Sequence, residues 1–330
     1  MRKDLLILLV CLIALLLVGV LSLGFGHVDL SLAQLWQGAR GPKDSALHII
    51  LYELRLPRVI LGMVVGATLG LSGAALQGVL RNPLADPGVI GVSSSAALGA
   101  VIAIHLGLGA VWAYYIPLFA MSAALAATLL LLFVASRDSS VLMLILVGLG
   151  ISSLATAMIS LVINISDSPM TVRDMVLWMM GSLENRTTAD LFLSLPFVFA
   201  GWLLMFGVGQ GLDALSLGED TAASMGINLM AIKLRIVIGT ALSVGAAVSV
   251  CGSIGFVGLV VPHIVRAFYS KEPGAILIPS ALIGALLLTL SDTLTRIPVT
   301  DTPLRLGVVT ALIGAPCFVF IVFKTRQDMR

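Results

Sequence analysis

Apolar residues in this chain come in long unbroken runs, and its polar residues gather in short clusters between them. Crossing a hydrocarbon layer of about 30 Å takes roughly 20 apolar residues as a helix. The runs have that length, and the alternation of a barrel strand is missing. Backbone groups must be satisfied internally at membrane depth, so the pattern predicts an all-α polytopic membrane protein.

In chain order, a first span from Leu5 to about Leu23 follows Arg2 and Lys3. It is longer than a signal-peptide core of about 7–15 residues and is expected to be retained, with the N-terminus inside. A polar segment from His27 to Leu56 should then lie outside. The second span, from about Arg58 to Leu80, carries Gly62, Gly66, Gly70 and Ala74 at four-residue spacing, a seam for close helix packing. It ends in Arg81-Asn-Pro-Leu-Ala-Asp-Pro87, where Asn82, Pro83, Asp86 and Pro87 cannot continue a helix and make a rigid inside turn. The third span continues to about Gly107 with its own small stripe of Gly91, Ser95 and Gly99. The fourth runs from about Trp112 to Val134, and Ser136-Arg137-Asp138 turns on the inside.

The fifth span, from about Val141 to Ile163, puts Gly148, Ser152, Thr156 and Ser160 on one face. Such a stripe packs against a neighbouring helix or lines a water-accessible path, and both hold if the path follows a helix interface. From Ser166 to Thr188 the mixture of charges with Met175, Trp178 and Met179 predicts an amphipathic helix at the outer interface. A sixth span, about Leu191 to Val208, precedes a polar island, Ser216 to Asn228, within a coupling segment of about 211–230.

The island predicts a short docking helix. Glu219 and Asp220 suit its first turn, Ala222, Ala223 and Met225 give it a small smooth face, and Gly226 ends it in the left-handed conformation. A helix this short is ordered only by packing. Lys233 and Arg235 then open a seventh span to about Cys251. The segment Gly252 to Arg266, with Gly255, Gly258 and Pro262, reads as a turn plus a short eighth helix. A ninth span from about Ala275 to Leu290 and a tenth from about Leu306 to Phe323 complete the count. About ten transmembrane helices in one domain, 1–330, place both termini in the cytoplasm. Spans two and seven are both Gly/Ala-rich and both followed by a broken segment, which hints at an inverted repeat.

Composition agrees with lipid as the solvent. Of 330 residues 59% are hydrophobic and 11% charged, with a mean hydropathy of +1.10. The 19 lysines and arginines lie slightly more on inside than outside segments. A net charge of +2 spread thinly argues against a nucleic-acid partner. Cys11, Cys251 and Cys317 lie within spans, and His27, His48, His105 and His263 lack metal-ligand spacing. The chain holds no phosphate-binding loop, no hydrolase nucleophile motif and no carboxylate pair within a span. An ion-coupled carrier or a membrane enzyme would show ionisable residues at mid-membrane. The energy is therefore expected from a partner, acting through the inside docking helix.

Leu54-Arg-Leu-Pro-Arg58, Gln77 with Arg81 to Pro87, the run from Gly91 to Ser95, Trp178 with Met180 to Leu183, Leu217-Gly-Glu with Gly226, Gly255 to Arg266, and Gly307 to Pro316 together resemble the FecCD-type permeases. These are membrane subunits of ABC importers for ferric siderophores, haem and cobalamin. The resemblance runs from about residue 50 to the C-terminus and implies the type II ABC importer fold in a bacterial cytoplasmic (inner) membrane. It implies a homodimer, or a pair with a sister permease. Two cytoplasmic ATPase subunits would carry ATP and Mg and dock on Leu217, Gly218, Glu219, Asp220, Ala222, Ala223, Met225 and Gly226, while this chain binds no metal or cofactor. A periplasmic or lipoprotein substrate-binding protein would present acidic residues to Arg55, Arg58 and Arg296. The fifth and tenth helices would line the path, with Gly148, Ser152, Thr156 and Ser160 in its wall. Ferric siderophore is the expected cargo, with haem and cobalamin as alternatives. One departure stands at the tenth helix, where Arg305 occupies a position at which the family has proline. It is either an extra surface charge or a change at the outer entrance.

Overall fold

A computed structural model describes residues 2–26, 29–135, 141–297 and 304–328. Every regular element among them is helical. They are α1 (Arg2–Gly24), α2 (Leu32–Arg40), α3 (Ala46–Ile49), α4 (Leu56–Val79), α5 (Val92–His105), α6 (Leu108–Val111), α7 (Tyr115–Ala135) and α8 (Val141–Asn164). There follow α9 (Pro169–Met179), α10 (Thr188–Met205), α11 (Gly209–Ser216), α12 (Glu219–Ser224), α13 (Leu229–Cys251), α14 (Val257–Phe268), α15 (Leu277–Leu294) and α16 (Leu306–Asp328). Seven helical stretches are long and apolar enough to cross a membrane, and three shorter apolar helices accompany them. These ten correspond one for one to the ten expected spans. The turn expected at 136–138, His27 and Pro303 lie outside the described residues.

Two spans form the centre. Of the 18 residues in the most apolar part of Ala46–Val79, and likewise of Leu229–Cys251, 78% are buried, against 22% for α1. These two stretches are the spans whose Gly/Ala content and broken sequels echo each other, and they pack together. Small residues explain their position: without side-chain bulk the backbones of neighbouring helices come close. Along α4, Gly66 faces the backbone of Gly284 and Gly70 that of Ser280, both on α15, while Gly73 faces Gly258 of α14. The predicted seam is therefore a real contact, and α15 is its partner.

The second span begins earlier than its hydropathy suggests. α3 runs through a π-helical turn, Ile50–Arg55, straight into α4, giving one helix from Ala46 to Val79. The charged residues Glu53, Arg55 and Arg58 interrupt the apolar run without interrupting the helix. The stripe on the third span serves two neighbours: Gly99 admits the backbone of Phe119 on α7, whereas Gly91 lies against Ile151 on α8. α9 is amphipathic as expected, with Arg173 and Asp174 exposed. Met175 is fully buried, and with Trp178 and Met179 it joins a core cluster with α5 and α8.

Candidate functional site

Four assemblies carry the residues singled out by sequence, two at each end of the bundle. At the end holding the polar island, α12 is closed by paired backbone bonds, Ile227 N–H to Ala222 O at 3.2 Å and Gly226 N–H to Ala223 O at 3.0 Å. This is a Schellman ending, and Gly226 supplies its left-handed residue with φ of +78°. Ala222 is buried beneath the helix. Ala223 faces solvent, as do Leu217 at 65% exposure and Met225 at 59%. Glu219 joins Lys233 of α13 at 3.0 Å, and the Lys233 side chain is only 6% exposed. The island is thus a small apolar tip anchored by one ion pair and one buried alanine.

Beside it, the turn after α4 is clasped onto α14. Gln77 donates to the carbonyls of Ala85 and Leu259 at 3.3 and 3.2 Å and accepts from Arg266 at 2.7 Å. His263 meets Pro83 O at 2.8 Å. Asn82 and Asp86 each accept an amide two residues on, from Leu84 and Gly88, which shapes the turn locally. Gly258 leaves room for Asp86 and Pro87, and Pro262 is buried inside α14. Gly255 stands apart, with open space around its Cα.

At the opposite end, the three arginines expected to reach outward are turned in. Arg58 grips Asp292 of α15 through Nε at 2.9 Å and Nη2 at 2.8 Å. Arg296 donates to Oδ2 of the same carboxylate at 2.5 Å, the oxygen that Arg58 Nε also meets, and to the carbonyls of Ser22 and Phe25 at 2.7 and 3.0 Å. Arg55 donates to the carbonyls of Leu23 and Gly24. Arg55 and Arg296 so cap the C-terminal end of α1, where unsatisfied carbonyls concentrate partial negative charge. The three side chains are thus engaged with neighbouring helices, and 17% of Arg58 and 7% of Arg296 stay exposed at the surface of this end.

The stripe on α8 divides along its length. Gly148 is buried against Gly91, and Ser152 donates to Gly88 O at 3.0 Å, so this part packs. Thr156 and Ser160 are exposed and satisfy their hydroxyls on the carbonyls four residues back. Near them, three chain segments are tied by their backbones. Ser182 N–H donates to Cys251 O at 2.7 Å, Leu306 N–H to Gly181 O at 3.1 Å and Gly307 N–H to Met180 O at 3.1 Å. A side chain at Gly252 would strike Trp178 O, and one at Gly307 would strike Met180 O. Arg305 adds an ion pair with Glu184 at 3.1 Å, so the departure at the tenth helix braces this junction. An adjoining cavity of about 400 Å³ is lined by Met179, Met180, Ser253, Gly307, Ala311 and Leu312.

Asp292, Lys233 and Gln77 escaped sequence reasoning as partners of the chosen residues. Only Asp292 left a signal, since it stands four residues before Arg296 on one helix face.

The chain matches the model of the FecCD transport family over residues 14–324. It belongs to that family. It is 36% identical to the hemin transport system permease protein HmuU of Yersinia pestis, covering 95% of each chain. It is 39% identical to the uncharacterized ABC transporter permease protein YvrB of Bacillus subtilis, over 89% of this chain and 84% of that one. With the vitamin B12 import system permease protein BtuC of Citrobacter koseri it shares 36% identity over 88% and 86%. The fold superposes with a TM-score of 0.86, at 32% identity and over 96% of this chain and 99% of the other, on an ABC transporter assigned to the metal-chelate type in an inward-facing conformation. This FecCD-family member is therefore a multi-pass membrane permease of the ABC importer type.

Proposed function

We propose that this FecCD permease pairs with a second copy of itself in a bacterial inner membrane and imports a bulky metal chelate handed over by a substrate-binding protein. Ferric siderophore is the first cargo; haem and cobalamin, the cargoes named for relatives, are its alternatives. Two ABC ATPase subunits dock on the island 216–228 from the cytoplasm, with ATP and Mg on those subunits and none on this chain. The observation that carries the reading is the island's exposed apolar tip, Leu217 and Met225 on a helix too short to stand alone. Exposed apolar residues on an element tethered to a buried lysine favour a protein partner over water.

The outer end supports a complementary partner. Arg58 and Arg296 share one carboxylate, Asp292, so an acidic residue presented by a binding protein meets an excess of guanidinium charge. The exposed Thr156 and Ser160 of α8, with the cavity beside α16, support a path between two copies. Proteoliposomes holding the permease with its ATPase and binding protein should take up cargo only with ATP, and mass spectrometry of the purified binding protein should return a metal chelate. Accumulation by the permease alone would overturn the proposal.

A further inference from the structure

α13 links the two ends of the molecule. Near its beginning, Lys233 is buried and holds Glu219 of the docking helix at 3.0 Å, across fourteen residues of chain. At its end, Cys251 O accepts the amide of Ser182, and Gly252 is wedged against the backbone of Trp178 and Gly181. That same segment, 180–182, holds the start of α16 through Gly181 O and Met180 O. From Lys233 to Cys251 the helix forms about 27 Å of rod at 1.5 Å per residue, packed through Gly239 against Gly201 of α10 and through Gly245 against Ala124 of α7. Such a rod moves as a body more readily than it bends.

The connection between α12 and α13 is short and locally fixed, by the Schellman ending at Gly226 and by Asn228, which accepts the Ala231 amide at 3.0 Å as the cap of α13. The ion pair adds a side-chain tie across it. Parting a buried ammonium from a carboxylate it holds is costly, so the pair draws α13 after Glu219 when the docking helix is displaced. We infer that Glu219 and Lys233 are the positioning pair that fixes the docking helix to α13, so that ATPase-driven motion at one end displaces the 180–182, 251–253 and 306–307 junction at the other. This rests on the proposed docking of ATPases at 216–228.

The test uses the complete complex of permease, ATPase and binding protein in proteoliposomes, measuring cargo moved per ATP hydrolysed. Glu219→Gln and Lys233→Met should each lower that ratio at least about threefold, within the range of coupling between residues in contact. ATPase activity and assembly should remain in Lys233→Met, whose residue lies on α13 and outside the docking face. Lys233→Met keeps the apolar stem, so it serves if Glu219→Gln fails to assemble. The exchanged pair Glu219→Lys with Lys233→Glu should recover the ratio, and Glu272→Gln, elsewhere on the same end, should leave it unchanged. Hydrogen exchange of the Ser182 amide should respond to nucleotide in the wild type and lose that response in Lys233→Met. Wild-type coupling ratios in the assembled single variants, or a nucleotide response at Ser182 that survives them, would overturn the inference. Absence of ATP-driven uptake in the wild type would instead sink the functional reading beneath it.

Discussion

Gly73 has no room for a methyl group: the Cβ of an alanine there would lie 1.9 Å from the carbonyl oxygen of Gly258. Backbone on the other side cannot swing away as a side chain can, so Gly73→Ala should cost about 1–3 kcal/mol. Gly150→Ala, with nothing near its Cα, should be neutral or slightly stabilising through helix propensity. Thermal unfolding midpoints in detergent compare the two, and equal midpoints would remove close packing of α4 on α14 as the reason for a glycine at 73. Gly226 is the opposite case. It has open space on every side and a backbone angle that side chains resist, so Gly226→Val should strain only the Schellman ending, by about 1–2 kcal/mol. The variant is expected to reach the membrane and assemble while moving less cargo per ATP. Unchanged uptake in that variant counts against the island as a coupling element.

Among elements, the arginine cluster fastens α1 to α4 and α15. Reversing Arg58 sets a carboxylate against Asp292 where two guanidinium nitrogens now bind, and breaking such a buried pair costs about 3–5 kcal/mol. Arg58→Glu should therefore lower the unfolding midpoint far more than Arg173→Glu on the exposed face of α9, a comparison that separates internal anchoring from a purely partner-facing role. Helix positions and the seam were legible because long apolar runs and four-residue spacing are local signals. The short docking helix was legible for the same reason, since acidic residues at its start and Gly226 at its end are properties of neighbouring positions. What stayed hidden was long-range. Arg58 and Asp292 are joined across 234 positions, and no spacing rule tells an arginine near a span end whether it will face water or a carboxylate on another helix. Arg55 and Arg58 inside the continuous helix 46–79 misled the boundary in the same way, because their partners, supplied by α1 and α15, were invisible from hydropathy.

For the molecule as a whole, the proposed assembly fixes which faces must be covered. If two copies meet along α8, a cysteine at Thr156 in a background without Cys11, Cys251 and Cys317 should form an oxidative cross-link to its twin, because Thr156 is exposed on that face. A cysteine at Leu203, exposed on α10, should not. The reverse pattern would move the dimer axis to another helix. Stimulation by the binding protein should weaken as ionic strength rises, since charge complementarity at a surface is screened within about 8–10 Å at ordinary salt.

The short helix α14 carries a further consequence. Its 12 residues reach only about 18 Å from the end where Arg266 meets Gln77, little more than half of a hydrocarbon layer of about 30 Å. The remaining depth is covered by residues 252–256, which form no helix. Naked peptide groups at that level cannot face acyl chains and survive only where protein or water meets them. This unwound stretch, with Gly252 and Ile254 buried and Ser253 in the wall of the cavity beside α16, therefore marks where neighbouring protein must stand between the chain and the bilayer.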